Sequence, residues 1–282
     1  MTVGIVGLGL IGGSFAKALH RGKDEVFAWN RNLETLKFAL ADSIDEELTK
    51  DNIGKCDLII LTTYPEHCVS WLEEFATYIS SDTIVIDAAG TKRKICAACW
   101  EIAKANNFTF VGCHPMAGTQ FSGYKNAKAD MFEGAPMIVV PNPELSDIER
   151  VKIIDRIQTF LSPCKFGFYT QSTAENHDRI IAYTSQLAHV VSSAYANNPV
   201  ALDRRGFSAG SWKDLTRVAW LNPDMWAELF LENGDYLSED IDKTVKNLMR
   251  FKHAIDNNDK VELVKILAEG DEIKRRSEKL GE

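Results

Sequence analysis

The chain has 282 residues, 45% hydrophobic and 26% charged, with a net charge of −8. That length allows one large domain or two, each with its own core, and the acidic balance disfavours nucleic acid as a general partner. No apolar run reaches the roughly 18 residues of a membrane span, and a strand starting at Val3 leaves no room for a secretion signal before it, so a cytoplasmic protein is expected.

Val3-Gly4-Ile5-Val6 reads as an apolar strand that runs into Gly7-Leu8-Gly9-Leu10-Ile11-Gly12 and then a helix to about residue 20. In this Gly-x-Gly-x-x-Gly spacing Gly7 permits a tight turn, Gly9 lets backbone approach a pyrophosphate, and Gly12 lets the helix pack on the strand. The free amides at the helix start then face the phosphate. Such a turn alone is common, but the strand before it, the Ala- and Leu-rich helix after it and a second strand at 25–29 favour dinucleotide binding.

The second strand ends at Asn30 and Arg31, where dinucleotide folds place the residue that meets the adenosine ribose. An acidic residue there favours NAD. Asn30 can hydrogen-bond a ribose hydroxyl and the Arg31 guanidinium can pair with a 2′-phosphate, so the expected cofactor is NAD(P), leaning to NADP, with the choice open.

Residues 57–63 form a continuous apolar strand of the kind buried on both faces of a parallel sheet, ending in Thr62 and Thr63, two further candidate cofactor contacts. Tyr64-Pro65 turns the chain into a helix over 66–79. The strand at 83–87 delivers Ala88-Ala89-Gly90-Thr91-Lys92 to the crevice where open α/β sheets bind ligands, with Gly90 against the cofactor. A strand at 109–112 leads to His114, expected just past its end, with Pro115 and Gly118 following. Strand-like segments at 137–140 and 165–169 complete this half.

His114 carries the chemistry. Imidazole is the side chain whose ordinary pKa suits proton abstraction near neutrality, and its expected place is beside the nicotinamide. The six cysteines at 56, 68, 96, 99, 113 and 164 show no zinc-ligand spacing and read as reduced, partly buried thiols, with no metal site. Beyond Thr170 every segment has helical period, over 172–197, 211–221, 224–233, 236–257 and 259–280, with Asp224 and Asp259 as helix starts. The expected fold is therefore an α/β, Rossmann-like dinucleotide-binding domain at 1–169 followed by an all-helical domain at 170–282.

Gly7-Leu8-Gly9-Leu10-Ile11-Gly12-Gly13-Ser14, Asp87-Ala88-Ala89-Gly90-Thr91-Lys92, His114-Pro115-Met116-Ala117-Gly118-Thr119, Lys213-Asp214-Leu215-Thr216-Arg217 and Met225-Trp226 occur in one order. In this the chain resembles the prephenate and arogenate dehydrogenase family of tyrosine biosynthesis over nearly its whole length. The resemblance implies oxidation of a ring alcohol, with hydride passed to NAD(P) and the ring carboxylate lost as carbon dioxide. It implies that His114 receives the hydroxyl proton and that Thr91, at a position usually held by serine, bridges substrate alcohol and nicotinamide. Arg217 matches an arginine that holds a substrate carboxylate. Its alternative is a surface cation paired with Asp214. His177 and His189 match two histidines near cofactor and substrate. Spaced 12 apart on one helix, they lie off a common stripe, so only one need face the cleft, and His189 is favoured for substrate.

Two departures stand out. Ser185-Gln186-Leu187-Ala188-His189 replaces the family's frequent Ser-His-Leu-Pro-His, losing a histidine and a helix-perturbing proline. Gln120 stands where related enzymes carry an acidic residue. A neutral amide suits the keto acid side chain of prephenate rather than the ammonium of arogenate. The helical domain, with Trp212, Trp220 and Trp226, is expected to form a homodimer; the alternative is that these rings fill one subunit's core. No appended sensing domain is expected, so any tyrosine inhibition would be expected at or near the active site. A β-hydroxyacid dehydrogenase is disfavoured because no lysine lies between Lys165 and Lys213. A non-enzymatic dinucleotide-binding redox sensor leaves His114, Thr91 and Arg217 without a reason to converge.

Overall fold

The computed structural model describes residues 1–279, so Leu280, the expected end of the last helix, lies outside the described residues. The first half alternates strand and helix: β1 (Thr2–Val6), α1 (Leu10–Arg21), β2 (Glu25–Trp29), α2 (Leu33–Leu40), β3 (Glu46–Glu47), β4 (Leu58–Leu61), α3 (Pro65–Phe75), β5 (Ile84–Asp87), α4 (Arg93–Asn106) and β6 (Thr109–Pro115). It closes with β7 (Pro136–Val140), α5 (Asp147–Phe160) and β8 (Phe168–Gln171). The eight strands form one sheet in the order β3-β2-β1-β4-β5-β6-β7-β8, parallel except where β7 runs antiparallel to β6.

The Leu58-Ile59-Ile60-Leu61 run is fully buried, as a central parallel strand covered on both faces requires. Its side chains alternate between two cores. Leu58 and Ile60 pack with Phe15 and Leu19 of α1, whereas Ile59 and Leu61 pack with Trp71 and Leu72 of α3. β1 pairs with β2 on one side and β4 on the other, so the strand order reverses at β1, and the glycine turn stands at that reversal.

Several boundaries differ from expectation for local reasons. β6 does not stop at Gly112 but continues through Pro115 because β7 supplies an antiparallel partner, and His114 lies inside the strand opposite Ile138. β8 begins at Phe168, since Lys165 takes a left-handed φ of 57° that closes a 3₁₀ turn over Ser162–Cys164. The strand at 57–63 is shorter, ending at Leu61, because Thr62 turns its hydroxyl onto the glycine turn.

The second half holds α6 (Ala174–Ile181), α7 (Ala188–Ala196), α8 (Gly210–Thr216), α9 (Pro223–Glu232), α10 (Gly234–Asp256) and α11 (Lys260–Lys279). The single helix expected over 172–197 is α6 and α7 joined by a π-turn at Ala182–Leu187. Asn222, not Asp224, starts α9, accepting the Met225 N–H at 3.2 Å, with Pro223 at the first helical position. Asp259 does cap α11, accepting the Glu262 N–H at 2.9 Å. Trp220 is 76% exposed, so it does not fill a core; Trp212 packs at a tilt against Tyr195 and Trp226 against His189. Phe207, Leu248, Met249, Val261, Val264 and Leu267 are also exposed apolar groups. All six cysteines are free and buried. Among the described residues no helix is long and apolar enough to cross a membrane, and no cluster of side chains could hold a metal.

A Cβ at Gly12 would sit 1.9 Å from the Gly7 carbonyl oxygen and 2.3 Å from Thr62 Oγ1, so α1 can lie against β1 only with glycine there. At Gly9 nothing lies within 4 Å of a Cβ. Gly12→Ala is therefore expected to cost about 2 kcal/mol or more in urea unfolding, and Gly9→Ala less than about 0.5 kcal/mol. Equal losses would show that packing does not select glycine at position 12.

Candidate active site

The glycine turn opens toward solvent at the reversal of strand order. Gly7 has φ +97°, a left-handed conformation that glycine adopts without strain. Gly9 precedes α1, no side chain caps that helix, and the space over Gly9 is open, so the amides from Leu10, Ile11 and Gly12 are left for a ligand. This cradle fits a pyrophosphate at a helix N-terminus. Thr62 and Thr63 brace the turn from the end of β4. The Thr62 hydroxyl donates to the Gly7 carbonyl at 2.6 Å, and Thr63 Oγ1 lies 3.2 Å from Cys68 Sγ. Asn30 is used in the same way: its Oδ1 accepts the Leu8 N–H at 2.9 Å and its Nδ2 donates to the Asn32 carbonyl at 2.9 Å. Arg31, one residue on, is exposed.

At the far side of the crevice His114 begins a chain of three hydrogen-bonding side chains. Its Nδ1 lies 2.9 Å from His177 Nε2, and His177 Nδ1 lies 2.7 Å from Asp178 Oδ1. Asp178 also accepts the backbone N–H groups of Lys92 at 2.7 Å and Arg93 at 2.9 Å, amides at the start of α4 that have no partner within the helix. Burial pushes its pKa up, but the bonds from His177, Arg93 and Lys92 outweigh it and hold the carboxyl below its ordinary value. An ionised carboxylate accepts only, so His177 Nδ1 carries the hydrogen and His177 Nε2 is an acceptor. His114 Nδ1 must then donate, which leaves the lone pair of the imidazole on His114 Nε2. Among the described residues nothing bonds to that nitrogen. Burial, then the neighbouring His177 and the Lys92 charge, lower the His114 pKa well below its ordinary value, so the ring is neutral and able to accept a proton.

Beneath this chain lies a fully buried ion pair, Lys92 Nζ with Asp87 Oδ2. Asp87 is also held by the N–H groups of Ala89 and Cys113, at 2.9 and 3.0 Å. The Lys92 stem runs past Gly112, where a Cβ would meet its Cδ at 3.1 Å and Cys96 Sγ at 2.4 Å.

The helical half supplies the other wall. Gly90 faces Leu229 of α9, and Thr91 Oγ1 donates to Glu232 Oε2 at the end of the same helix. Trp226, earlier on α9, packs against His189 with ring centroids 3.9 Å apart. His189 Nδ1 donates to the Val218 carbonyl at 2.8 Å, and the adjoining Arg217 is close enough to lower its pKa, although burial is the larger cause. Arg217 is exposed, and among the described residues no ion pair links it to Asp214. The structure thus groups His114, His177 and Thr91 at one end of α9 and His189 with Arg217 at the other. Gln120 is exposed on the loop after β6.

Sequence reasoning missed Asp178, Glu232 and Asn233. Only Asp178 carried a signal, its adjacency to His177. Asn233 is buried, donating to the Asp178 carbonyl and to Gln186 Oε1, both at 2.8 Å, while Gln186 Nε2 donates to the Leu229 carbonyl at 2.9 Å. Gln186, which replaces a frequent family histidine, therefore ties the π-turn to α9.

Residues 15–165 match the family described as prephenate dehydrogenase, nucleotide-binding domain, and residues 173–269 match prephenate dehydrogenase, dimerization domain. The chain is 27% identical to prephenate dehydrogenase of Bacillus subtilis (strain 168), over 92% of this chain and 71% of that one. It is 26% identical to cyclohexadienyl dehydrogenase of Zymomonas mobilis, over 91% and 89%. Among solved structures, prephenate dehydrogenase from A. aeolicus in complex with hydroxyphenyl propionate and NAD+ superposes with a TM-score of 0.79 at 29% identity, covering 98% of both chains. Synechocystis arogenate dehydrogenase, at 24% identity, shares the fold with a TM-score of 0.81, over 98% of this chain and 100% of that one.

The two neutral histidines make stability depend on pH. Burial lowers the pKa of both His114 and His177, so the unfolded chain takes up protons at the ordinary value near 6.5 before the folded one does. Their contribution is complete above about pH 6.5 and is lost as pH falls below it toward the folded values. The midpoint of thermal unfolding should drop between about pH 7 and 5, and His114→Gln should flatten that drop. An unchanged slope in the variant would mean that His114 is not held neutral by the fold.

Proposed function

Because the chain belongs to the prephenate dehydrogenase family, we propose that it oxidises prephenate to 4-hydroxyphenylpyruvate, with loss of the ring carboxylate as carbon dioxide and NAD(P) as cofactor. The observation that carries this reading is the His114, His177, Asp178 chain, which leaves one unprotonated imidazole nitrogen at the sheet's ligand-binding edge. His114 Nε2 takes the proton of the substrate hydroxyl. The imidazolium so formed keeps donating its Nδ1–H to His177 Nε2, a ring that Asp178 polarises, which offsets the low basicity of a buried imidazole. Thr91 holds the substrate oxygen. Arg217 and His189 hold substrate carboxylates, the guanidinium offering two parallel donors. The turn at Gly7, Gly9 and Gly12 would hold the pyrophosphate of NAD(P), which when bound would supply the hydride acceptor.

Prephenate is favoured over arogenate by Gln120, a neutral group that offers no charge to an ammonium. NADP is favoured over NAD because the Asn30 amide is committed to backbone while Arg31 is exposed beside it. The match of residues 173–269 to a dimerization domain and the exposed apolar groups of α10 and α11 support a homodimer. Six reduced thiols suit a cytoplasmic location. Because β8 runs through Gln171, the sheet domain is proposed to extend to residue 171, two residues past the expected 1–169, with the helical domain after it.

Purified protein assayed with prephenate and with arogenate, each against NAD and NADP, should reduce cofactor fastest with prephenate and NADP. Absence of turnover in all four combinations would overturn the assignment. In the best pair, His114→Asn should lower kcat on the order of a hundredfold or more, the usual scale for a general base. For Arg217→Ala the expected effect is a raised KM with kcat less affected, and an unchanged KM would mean that the carboxylate is held elsewhere.

A further inference from the structure

We propose that Glu232 is a positioning residue whose own proton decides whether the Thr91 hydroxyl can donate to the substrate oxygen, an inference that rests on the reading of Thr91 above. Thr91 is buried at the carboxyl end of β5, and its one hydroxyl hydrogen points to Glu232 Oε2. The two residues lie 141 positions apart, so the contact joins the sheet domain to the last turn of α9.

A threonine hydroxyl has one hydrogen to donate and lone pairs to accept with. With Glu232 ionised that hydrogen is used, and Thr91 presents only lone pairs to the cleft. The substrate alcohol also has a single hydrogen, claimed by the lone pair on His114 Nε2. Thr91 oxygen and substrate oxygen then face each other with no hydrogen between them. Turning Thr91 toward the substrate leaves a half-buried carboxylate without its donor, which is unfavourable. With Glu232 protonated both problems vanish. The carboxyl O–H donates to Thr91 Oγ1, the Thr91 O–H donates to the substrate oxygen, and the negative charge that grows there as His114 withdraws the proton is stabilised.

The groups around Glu232 support this. Burial acts first, raising its pKa above the ordinary value; the Thr91 bond opposes that. Glu228, one turn back on α9, raises it, Lys94 on α4 lowers it and Asp178 on α6 raises it. The nearby Arg93 guanidinium is engaged by Asp178, Asp235 and Asn233. The working state thus needs His114 neutral and Glu232 protonated, and turnover falls on the acid side through His114 and on the alkaline side through Glu232.

The test is the pH profile of kcat and KM for the unaltered protein, Glu232→Gln, Glu232→Ala, Thr91→Ala and the Thr91→Ala, Glu232→Gln double variant, with thermal unfolding confirming that each is folded. In the unaltered protein kcat should fall about tenfold per pH unit beyond the Glu232 ionisation. The glutamine amide donates to Thr91 at every pH, so Glu232→Gln should lose that alkaline limb and exceed the unaltered protein by about tenfold for each pH unit above the Glu232 ionisation, with KM little changed. Glu232→Ala, with no group to orient Thr91, should be about tenfold slower throughout. On the Thr91→Ala background, Glu232→Gln should change kcat less than about twofold, because its effect passes through Thr91. An alkaline limb that survives in Glu232→Gln, or an undiminished effect without Thr91, overturns the inference while leaving the dehydrogenase reading intact. Failure of the unaltered protein to turn over either substrate overturns both.

Discussion

One carboxylate, Asp178, joins the two halves of the molecule and sets the protonation pattern of the site. It comes from the first helix of the helical half, yet it satisfies two backbone amides at the start of α4 in the sheet half and holds His177 by its ring. Each of these bonds stabilises the ionised form, and a carboxylate at a helix N-terminus is favoured by the helix dipole as well. The placement of His114's free nitrogen then follows by elimination. A neutral residue at 178 would leave two buried amides short of acceptors and release the histidines from a single tautomer, so packing and chemistry depend on the same atoms.

The buried Asp87 and Lys92 pair works differently. Taking two charges out of water is costly, and such pairs are retained where a particular arrangement is needed rather than for stability. Here the carboxylate is held by three donors, and the ammonium sits where it discourages protonation of His114. Four thiols line the neighbourhood, Cys68, Cys96, Cys99 and Cys113, all buried and all with pKa values raised by desolvation. They remain protonated and serve as small apolar filling.

The parallel sheet and the glycine turn were legible because period and glycine spacing are local signals. His114, Thr91, His177, Arg217 and His189 were legible one at a time, through motifs. Their grouping was not, because it depends on α9, which approaches the sheet from more than a hundred residues away. Glu232 carried no local mark, and Asn233 looked like an ordinary helix end. The His114 strand ran longer than expected because β7 pairs with it, and such pairing cannot be read from either strand alone. Asn30 was legible by its position at the end of β2, but its bonds to the backbone of Leu8 and Asn32, which shape the turn, were not.

The π-turn at Ala182–Leu187 has a rotational consequence. In a regular α-helix each residue advances about 100°, so twelve residues leave His189 rotated about 120° from His177. A π-turn closes its hydrogen bond one residue later, adding in effect one residue without its share of rotation. The twelve-residue spacing then behaves like eleven, and the two side chains come within about 20° of one direction. Here the widened turn before Ala188 is anchored to α9 by the buried Gln186. The bulge acts as a vernier between two histidines whose sequence spacing alone would set them on different faces.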